Sequence, residues 1–323
     1  MARLTLQEII DVPTPSCHAT TVARVGGETL LCWFGGTQEA AGDVDIYMAR
    51  RGEFGWGRPF LIAGERDLPH WNPVLFADGE NVALYYKVGR KIPQWHTRAM
   101  FSEDGGRRFS APQELVPGDI GGRGPVKNKP ILLRSGRMIS GASVETPTTW
   151  NAFADLSDDG GKTFRRSAFV PLWREGEKPC ENARKIDGKG VIQPTLWEDE
   201  TGVHMLLRST EGEILRSDST DGGETWCCAY GTGMPNNNSG VDLAQDERGR
   251  LWLCANPVSE NWGARTPLSL FVSEDGGAHF ERVMDLETAP GEYSYPAILA
   301  QEGKLFVSYT WNREKVAYCE IEP

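Results

Sequence analysis

Ser219-Thr-Asp221-Gly-Gly223-Glu-Thr225-Trp226 belongs to a pattern that this chain writes four times. Ser102-Glu-Asp104-Gly-Gly106-Arg-Arg-Phe109, Ser157-Asp-Asp159-Gly-Gly161-Lys-Thr163-Phe164 and Ser273-Glu-Asp275-Gly-Gly277-Ala-His-Phe280 share its template, S-x-D-x-G-x-x-[FW]. A worn fifth copy spans Ala49 to Trp56 and keeps only the aromatic at the right offset. Each full copy follows an alternating apolar run, such as Ala152-Phe-Ala-Asp-Leu156 or Leu268-Ser-Leu-Phe-Val272, which reads as a strand. The pattern therefore marks a hairpin. Ser and Asp side chains bond turn amides, the glycines supply positive φ, and the aromatic folds back onto the apolar layer. A calcium loop fits poorly, because the spacing from Asp155 would need a carboxylate where the chain has Arg166.

The box serines fall at 102, 157, 219 and 273, in steps of 55, 62 and 54. A period near 50 built from short strands predicts a β-propeller, with four antiparallel strands per blade and the box between strands three and four. Six blade openings align: Cys17–Val22, Trp71–Phe76, Asn128–Leu133, Ile192–Trp197, Ser239–Leu243 and Tyr293–Leu299. Four carry proline just after a polar residue, which suits the start of an inner strand lacking a donor partner. The last blade has only three strands before the C-terminus. Leu4–Ile10 is expected to lie beside Val316–Ile321, close the ring and remove the exposed edges. The expectation is one all-β, six-bladed propeller domain over residues 1–323, with insertions at Gly118–Gly124 and Trp173–Gly190 overhanging one face.

With 39% hydrophobic residues and 11 Trp, the chain has material for a large core. A formal charge of −11 argues against nucleic acid or an anionic membrane as partner. No apolar run approaches a membrane span, and the opening Met1-Ala-Arg-Leu-Thr-Leu-Gln-Glu lacks an apolar signal region. The seven Cys, several in strand-like runs, read as thiols of a cytoplasmic protein rather than disulfides. No metal or cofactor spacing stands out.

Function is expected where inner strands begin and second strands end, since antiparallel pairing puts both on one rim. Openings place His18, Asn72, Lys127, Lys129, Gln193, Asn238, Tyr293 and Tyr295 there. Second-strand ends add Lys87, Glu145, Arg208 and Arg313, and Arg265 follows in the loop before a third strand. A cationic rim on an anionic protein points to a carboxylate-bearing ligand.

The eight-residue pattern is the Asp box, and through it the chain resembles the sialidase (bacterial neuraminidase repeat) superfamily. The resemblance implies an exo-acting glycosidase on a terminal acidic sugar of an oligosaccharide or polysaccharide, with three arginines on the substrate carboxylate, a Tyr nucleophile and an Asp acid. Arg208 and Arg265 look like the second and third arginines, Tyr293 in Gly291-Glu-Tyr293-Ser looks like the nucleophile, and Asp45 with Asp43 lies in the expected acid loop. The R-I-P motif of the first arginine is replaced by Cys17-His18-Ala-Thr, and the glutamate partner by Gln193. The chain is similar to a sialidase-like branch without that motif, whose related propellers cleave rhamnose from glucuronic acid by hydrolysis or elimination. In the hydrolytic route Tyr293 acts with Glu292 or Glu145. In the eliminative route a cation acidifies the uronate C5 proton and His18 or a Tyr removes it, with a pH limb at roughly 6–7. A non-catalytic glycan-binding propeller is the third reading.

Overall fold

The computed structural model describes residues 2–323. Its strands form six antiparallel sheets, each a blade. The first (16–63) pairs Ser16–Val25, Glu28–Gly36 and Asp45–Gly52, with two short outer pieces, Gly55–Trp56 and Phe60–Ala63, both on the third strand. The second (70–114), fourth (191–235) and fifth (242–287) follow the four-strand order expected. In the third, the inner strand shrinks to Ile131–Leu132, ahead of Met138–Glu145, Trp150–Ser157 and Arg165–Phe169. Pro130 has no N–H to give a ladder, and residues 121, 122 and 124 are glycines at positive φ, so the chain from Gly121 enters this blade as a loop. The sixth blade is built from both ends of the chain. Tyr293–Gln301, Lys304–Trp311 and Lys315–Glu322 are completed by Arg3–Asp11, in a register that runs from Arg3 opposite Glu322 to Asp11 opposite Lys315.

Blades bury both faces, so their middle strands read as continuous apolar runs rather than alternating ones. In Glu28–Gly36 the period of two sends Leu30, Cys32 and Phe34 to the seam with the second blade, where they meet Leu75, Leu84 and Tyr86. Leu31 and Trp33 point the other way, to Phe306 and Tyr318 of the sixth. The same division repeats around the ring, giving a core made of six inter-blade seams.

Each Asp box sits between strands three and four of its blade. In the fourth, the Ser219 hydroxyl accepts from the Gly223 N–H (2.9 Å) and donates to Asp221 (2.7 Å), which accepts from the Thr225 N–H (3.0 Å). The second glycine of each box touches the preceding blade. A Cβ at Gly223 would lie 2.3 Å from Ile139 Cδ1, and one at Gly161 would lie 2.4 Å from the Tyr85 hydroxyl. Positive φ and close approach both demand glycine there.

The insertion at 173–190 folds across the outer edge of the fourth blade, where the Arg184 N–H donates to the Ala229 carbonyl. That docking brings Cys180 and Cys228 to a Cα separation of 6.2 Å, and they form a disulfide, which corrects the all-thiol expectation. Of the five free cysteines, four are buried and Cys227 is exposed. No helix among the described residues is long and apolar enough to cross a membrane.

Two outcomes follow from this architecture. Deleting residues 1–11 strips the closing strand from Lys315–Glu322, and the shortened chain should lose its single cooperative thermal transition; an unchanged melt would refute closure. Acid should also act through the boxes. Hydrogen bonds from Thr163 and Thr225 outweigh partial burial and hold Asp159 and Asp221 at about 2, while the Arg108 and His279 N–H groups lower Asp104 and Asp275. A carboxylate with a depressed folded pKa stabilises above its unfolded pKa near 4 and loses that contribution as pH falls through the folded value. Melting temperature should therefore drop steeply between about pH 4 and 2, and less steeply in Asp221→Ala.

Candidate active site

Four inner strands begin with the same irregularity. Register slips between His18 and Thr21, Trp71 and Val74, Ile192 and Thr195, and Ser294 and Ala297. Inside each slip sits one left-handed residue: Ala19, Asn72, Gln193 or Tyr295. A non-glycine residue at positive φ costs on the order of 1 kcal/mol, and such bulges re-aim side chains. Here Asn72, Gln193 and Tyr295 turn into a cavity of about 380 Å³ at one end of the propeller axis. Trp262 and Arg313, also left-handed, line the same cavity. Backbone strain is concentrated around this one space.

Arg208 is the centre of its cationic wall. It is 3% exposed, and among the described residues no carboxylate lies within ion-pair distance. Its Nε donates to Asn238 (2.7 Å), and Nη1 donates to Gln193 Oε1 (3.0 Å) and to the Tyr295 hydroxyl (2.7 Å). The guanidinium packs against Trp150, Trp262 and Tyr295, with ring centres 5.5, 5.6 and 5.8 Å away. Arg265 and Arg313 behave differently. Glu292 accepts from Arg265 at 2.9 Å and from Arg313 at 2.6 Å, and Glu39 takes the other side of Arg313. Burial would lift the Glu292 carboxyl, but these two cations outweigh it and hold it below its ordinary range.

His18, Glu145, Asn72, Gln193, Arg208, Arg265, Arg313 and Tyr295 line the cavity as the sequence suggests. The other expected residues are elsewhere. Tyr293, two residues from Tyr295 but turned away from it by the bulge at Ser294–Ala297, is 2% exposed in the seam between the fifth and sixth blades, packed on Trp311. Asp45 lines a shallow depression at the outer side of the first blade with Asp43, Glu65 and Asp67. Lys87 is fully buried and donates to Thr97 and the Arg123 carbonyl; loss of solvent lowers its pKa to about 7. Lys127 passes beneath the Tyr295 ring and donates to the Val241 and Pro296 carbonyls. Lys129 pairs with Asp242 (3.0 Å) and faces the opposite mouth of the axis, a space of about 410 Å³ walled largely by inner-strand apolar residues. Asn238 is buried behind Arg208 and positions it.

Sequence reasoning missed Trp71, Trp95, Trp150 and Trp262, four of the cavity walls, together with Lys189 and Glu39. All but Trp71 lie in loops or at strand ends outside the opening strands. Trp262 could have been flagged by its place three residues before Arg265, in a turn where its N–H donates to the Asn237 carbonyl.

Two titrating groups in the cavity have displaced pKa values. Burial raises the Glu145 carboxyl above the ordinary range, against the pull of Arg208, Lys189 and Lys87. A carboxyl whose pKa is raised keeps its proton to higher pH than a free one, which suits it to proton donation. His18 bonds Thr310 through Nδ1 (3.0 Å) and packs on Tyr295, ring centres 4.2 Å apart. Burial lowers its pKa well below the ordinary value, reinforced by Arg313, Arg265, Arg208 and Lys127. That direction runs against the expected histidine limb at roughly 6–7. No group of three or more His, Cys, Asp or Glu among the described residues is arranged to hold a metal ion.

Six antiparallel blades, four of them carrying Ser-x-Asp turns, define a six-bladed β-propeller. The chain belongs to the family of the BNR repeat-like domain, whose model matches residues 27–307. Among solved structures, a protein of unknown function from Dyadobacter fermentans aligns with a TM-score of 0.76 at 16% identity, covering 99% of each chain. Trypanosoma rangeli sialidase in complex with the inhibitor DANA gives 0.73 at 12% identity, over 95% of this chain and 55% of that one. The K499G mutant of NanB sialidase from Streptococcus pneumoniae gives 0.76 at 13%, over 98% and 70%. At such identities the likeness is one of fold. No curated protein matches the chain.

The site predicts a titration. The imidazole resonances of His18 should stay at their neutral positions as pH falls through the ordinary histidine range. A His18 midpoint between 6 and 7 would contradict the burial described here.

Proposed function

We propose that this protein is an exo-acting glycosidase that removes a terminal carboxylate-bearing sugar from a glycan. The observation that carries the reading is Arg208: a buried guanidinium with no carboxylate partner, bonded to the Tyr295 hydroxyl inside an aromatic cavity. A buried cation without a counter-charge is costly unless a ligand supplies one. The sialidases with this fold, one of them solved in complex with the inhibitor DANA, support the substrate class. The cytoplasmic expectation drew on an all-thiol reading, and the Cys180–Cys228 disulfide removes that ground for it.

Roles follow from placement. Tyr295, rather than Tyr293, is the tyrosine presented to substrate. The hydrogen bond from Arg208 Nη1 stabilises negative charge on the Tyr295 oxygen as positive charge develops at the anomeric carbon. Glu145 delivers its proton to the departing glycosidic oxygen. Gln193 holds Tyr295 and Arg208 but has no basic group with which to take a proton.

One observation favours a second reading. A neutral His18 packed against Tyr295 is a base in its working form, so elimination across a rhamnose–glucuronate type linkage also fits.

The test is turnover on a panel of acidic oligosaccharides. Hydrolysis yields a reducing sugar without ultraviolet absorbance, and elimination yields an unsaturated, absorbing product; no product with any member would leave a binding propeller. Tyr295→Phe should lower kcat/KM by about 10²-fold or more, while Tyr293→Phe should stay within a few-fold and lower the melting temperature. Glu145→Gln should lose about 10²-fold on natural linkages and much less on a 4-nitrophenyl leaving group. Because the protonated form donates, wild-type activity should fall as pH rises through a carboxyl pKa above the ordinary 4.5, and that limb should vanish in Glu145→Gln. An unchanged limb would remove Glu145 from the role.

A further inference from the structure

The charges lining the cavity divide into two groups. Arg265, Arg313, Glu292 and Glu39 form one connected ladder of two cations and two anions, already balanced inside the protein. Facing it stand Arg208, Lys189 and Glu145, none with an ion-pair partner among the described residues. Arg208 uses Nε and Nη1 on protein and leaves Nη2 without a hydrogen bond. Lys189 likewise has no acceptor for Nζ. Both cations rest against the Trp150 ring, each 5.5 Å from its centre.

Lys189 is not a loose surface lysine. Its carbonyl accepts from the Trp150 N–H (2.9 Å) and from Arg174 Nη2 (2.7 Å), so the backbone at the end of the 173–190 insertion is tied down at the cavity edge. The next residue, Gly190, has its Cα so close to the Trp150 carbonyl that a Cβ there would come within 2.3 Å of it. The insertion is held against Trp150, and the one charged side chain it presents to the cavity is Lys189.

We propose that the sugar carboxylate is received on the Trp150 wall, by Arg208 Nη2 together with Lys189, and that Lys189 is the residue that sets the preference for an acidic sugar. Arg265 and Arg313 then shape the opposite wall without supplying net charge. Coulomb's law gives the reason: a ligand anion gains from an uncompensated cation, whereas a cation already facing a carboxylate offers little net field. The inference rests on the reading of this cavity as an acidic-sugar site and specifies which groups do the recognising.

The experiment measures binding, not turnover. Quenching of the cavity tryptophans is titrated with D-glucuronate and N-acetylneuraminate, and with the methyl ester of each, which keeps the shape and removes the charge. Wild type should bind at least one free acid about tenfold or more tightly than its ester. Lys189→Met should collapse that ratio toward one while leaving ester affinity within about twofold, and Lys189→Arg should restore it. The charge-neutral pair Glu39→Gln with Arg313→Met should keep the ratio. A ratio intact in Lys189→Met, or lost in the Glu39/Arg313 pair, overturns the assignment and leaves the acidic-sugar reading standing. Failure of wild type to prefer either acid overturns both. Because the readout is a ratio of acid to ester on the same folded sample, a purely structural loss moves both terms together and counts against the role of Lys189.

Discussion

The ring holds together because each blade can approach its neighbour closely enough to share a dry seam. At four of those seams the approach is made by the second glycine of a Ser-x-Asp turn, resting on Leu30, Tyr85, Ile139 or Trp197 of the blade before. The serine and aspartate satisfy the turn's own amides, so the hairpin tip stays rigid while pressed against apolar atoms. A side chain at the glycine would push adjacent blades apart and open a seam along its whole length. Where the first blade has only a worn copy and the sixth has none, the closing strand takes over: Trp56 and Arg51 of the first blade both reach Glu8 of Arg3–Asp11.

That closed scaffold carries the strain at its axis. A free strand end would relax a left-handed residue into ordinary extended backbone. In the ring, Asn72 is tied to the Val126 carbonyl of the next blade, and Asn128 to the carbonyls of Gln193 and Pro194. The inner strands are thus laced to one another beneath the cavity. Tyr295 is presented, and Arg208 kept buried without a carboxylate, at the expense of the stability accumulated in the seams. Segregation of charge has the same origin: the Glu292–Arg265–Arg313–Glu39 ladder spans the fifth, sixth and first blades, whereas Arg208, Lys189 and Glu145 come from the third and fourth.

The amino-acid order by itself determined the architecture, because each of its signals is local. Four Ser-x-Asp turns, a spacing near 50 and six aligned openings each report on a single blade, and repetition makes a ring of six. It also placed Arg208, Arg265, Arg313, Glu145, Gln193 and Asn72 at the cavity, since rim positions follow from strand ends alone. Only the tertiary structure decided which of two tyrosines faces the cavity. Residues 293 and 295 lie on the same strand across a bulge with a left-handed residue, and an inserted kink changes the face without leaving a mark in composition. Burial and pairing were equally out of reach. The His18 pKa is lowered because the ring is buried and four cations from the third to sixth blades converge on it, Lys87 and Lys129 are spent on internal partners, and Lys189 reaches the cavity because a distant insertion docks there. Each of these depends on residues far apart in sequence, and electrostatics inside a protein is set by what surrounds a charge in space, not by its neighbours along the chain.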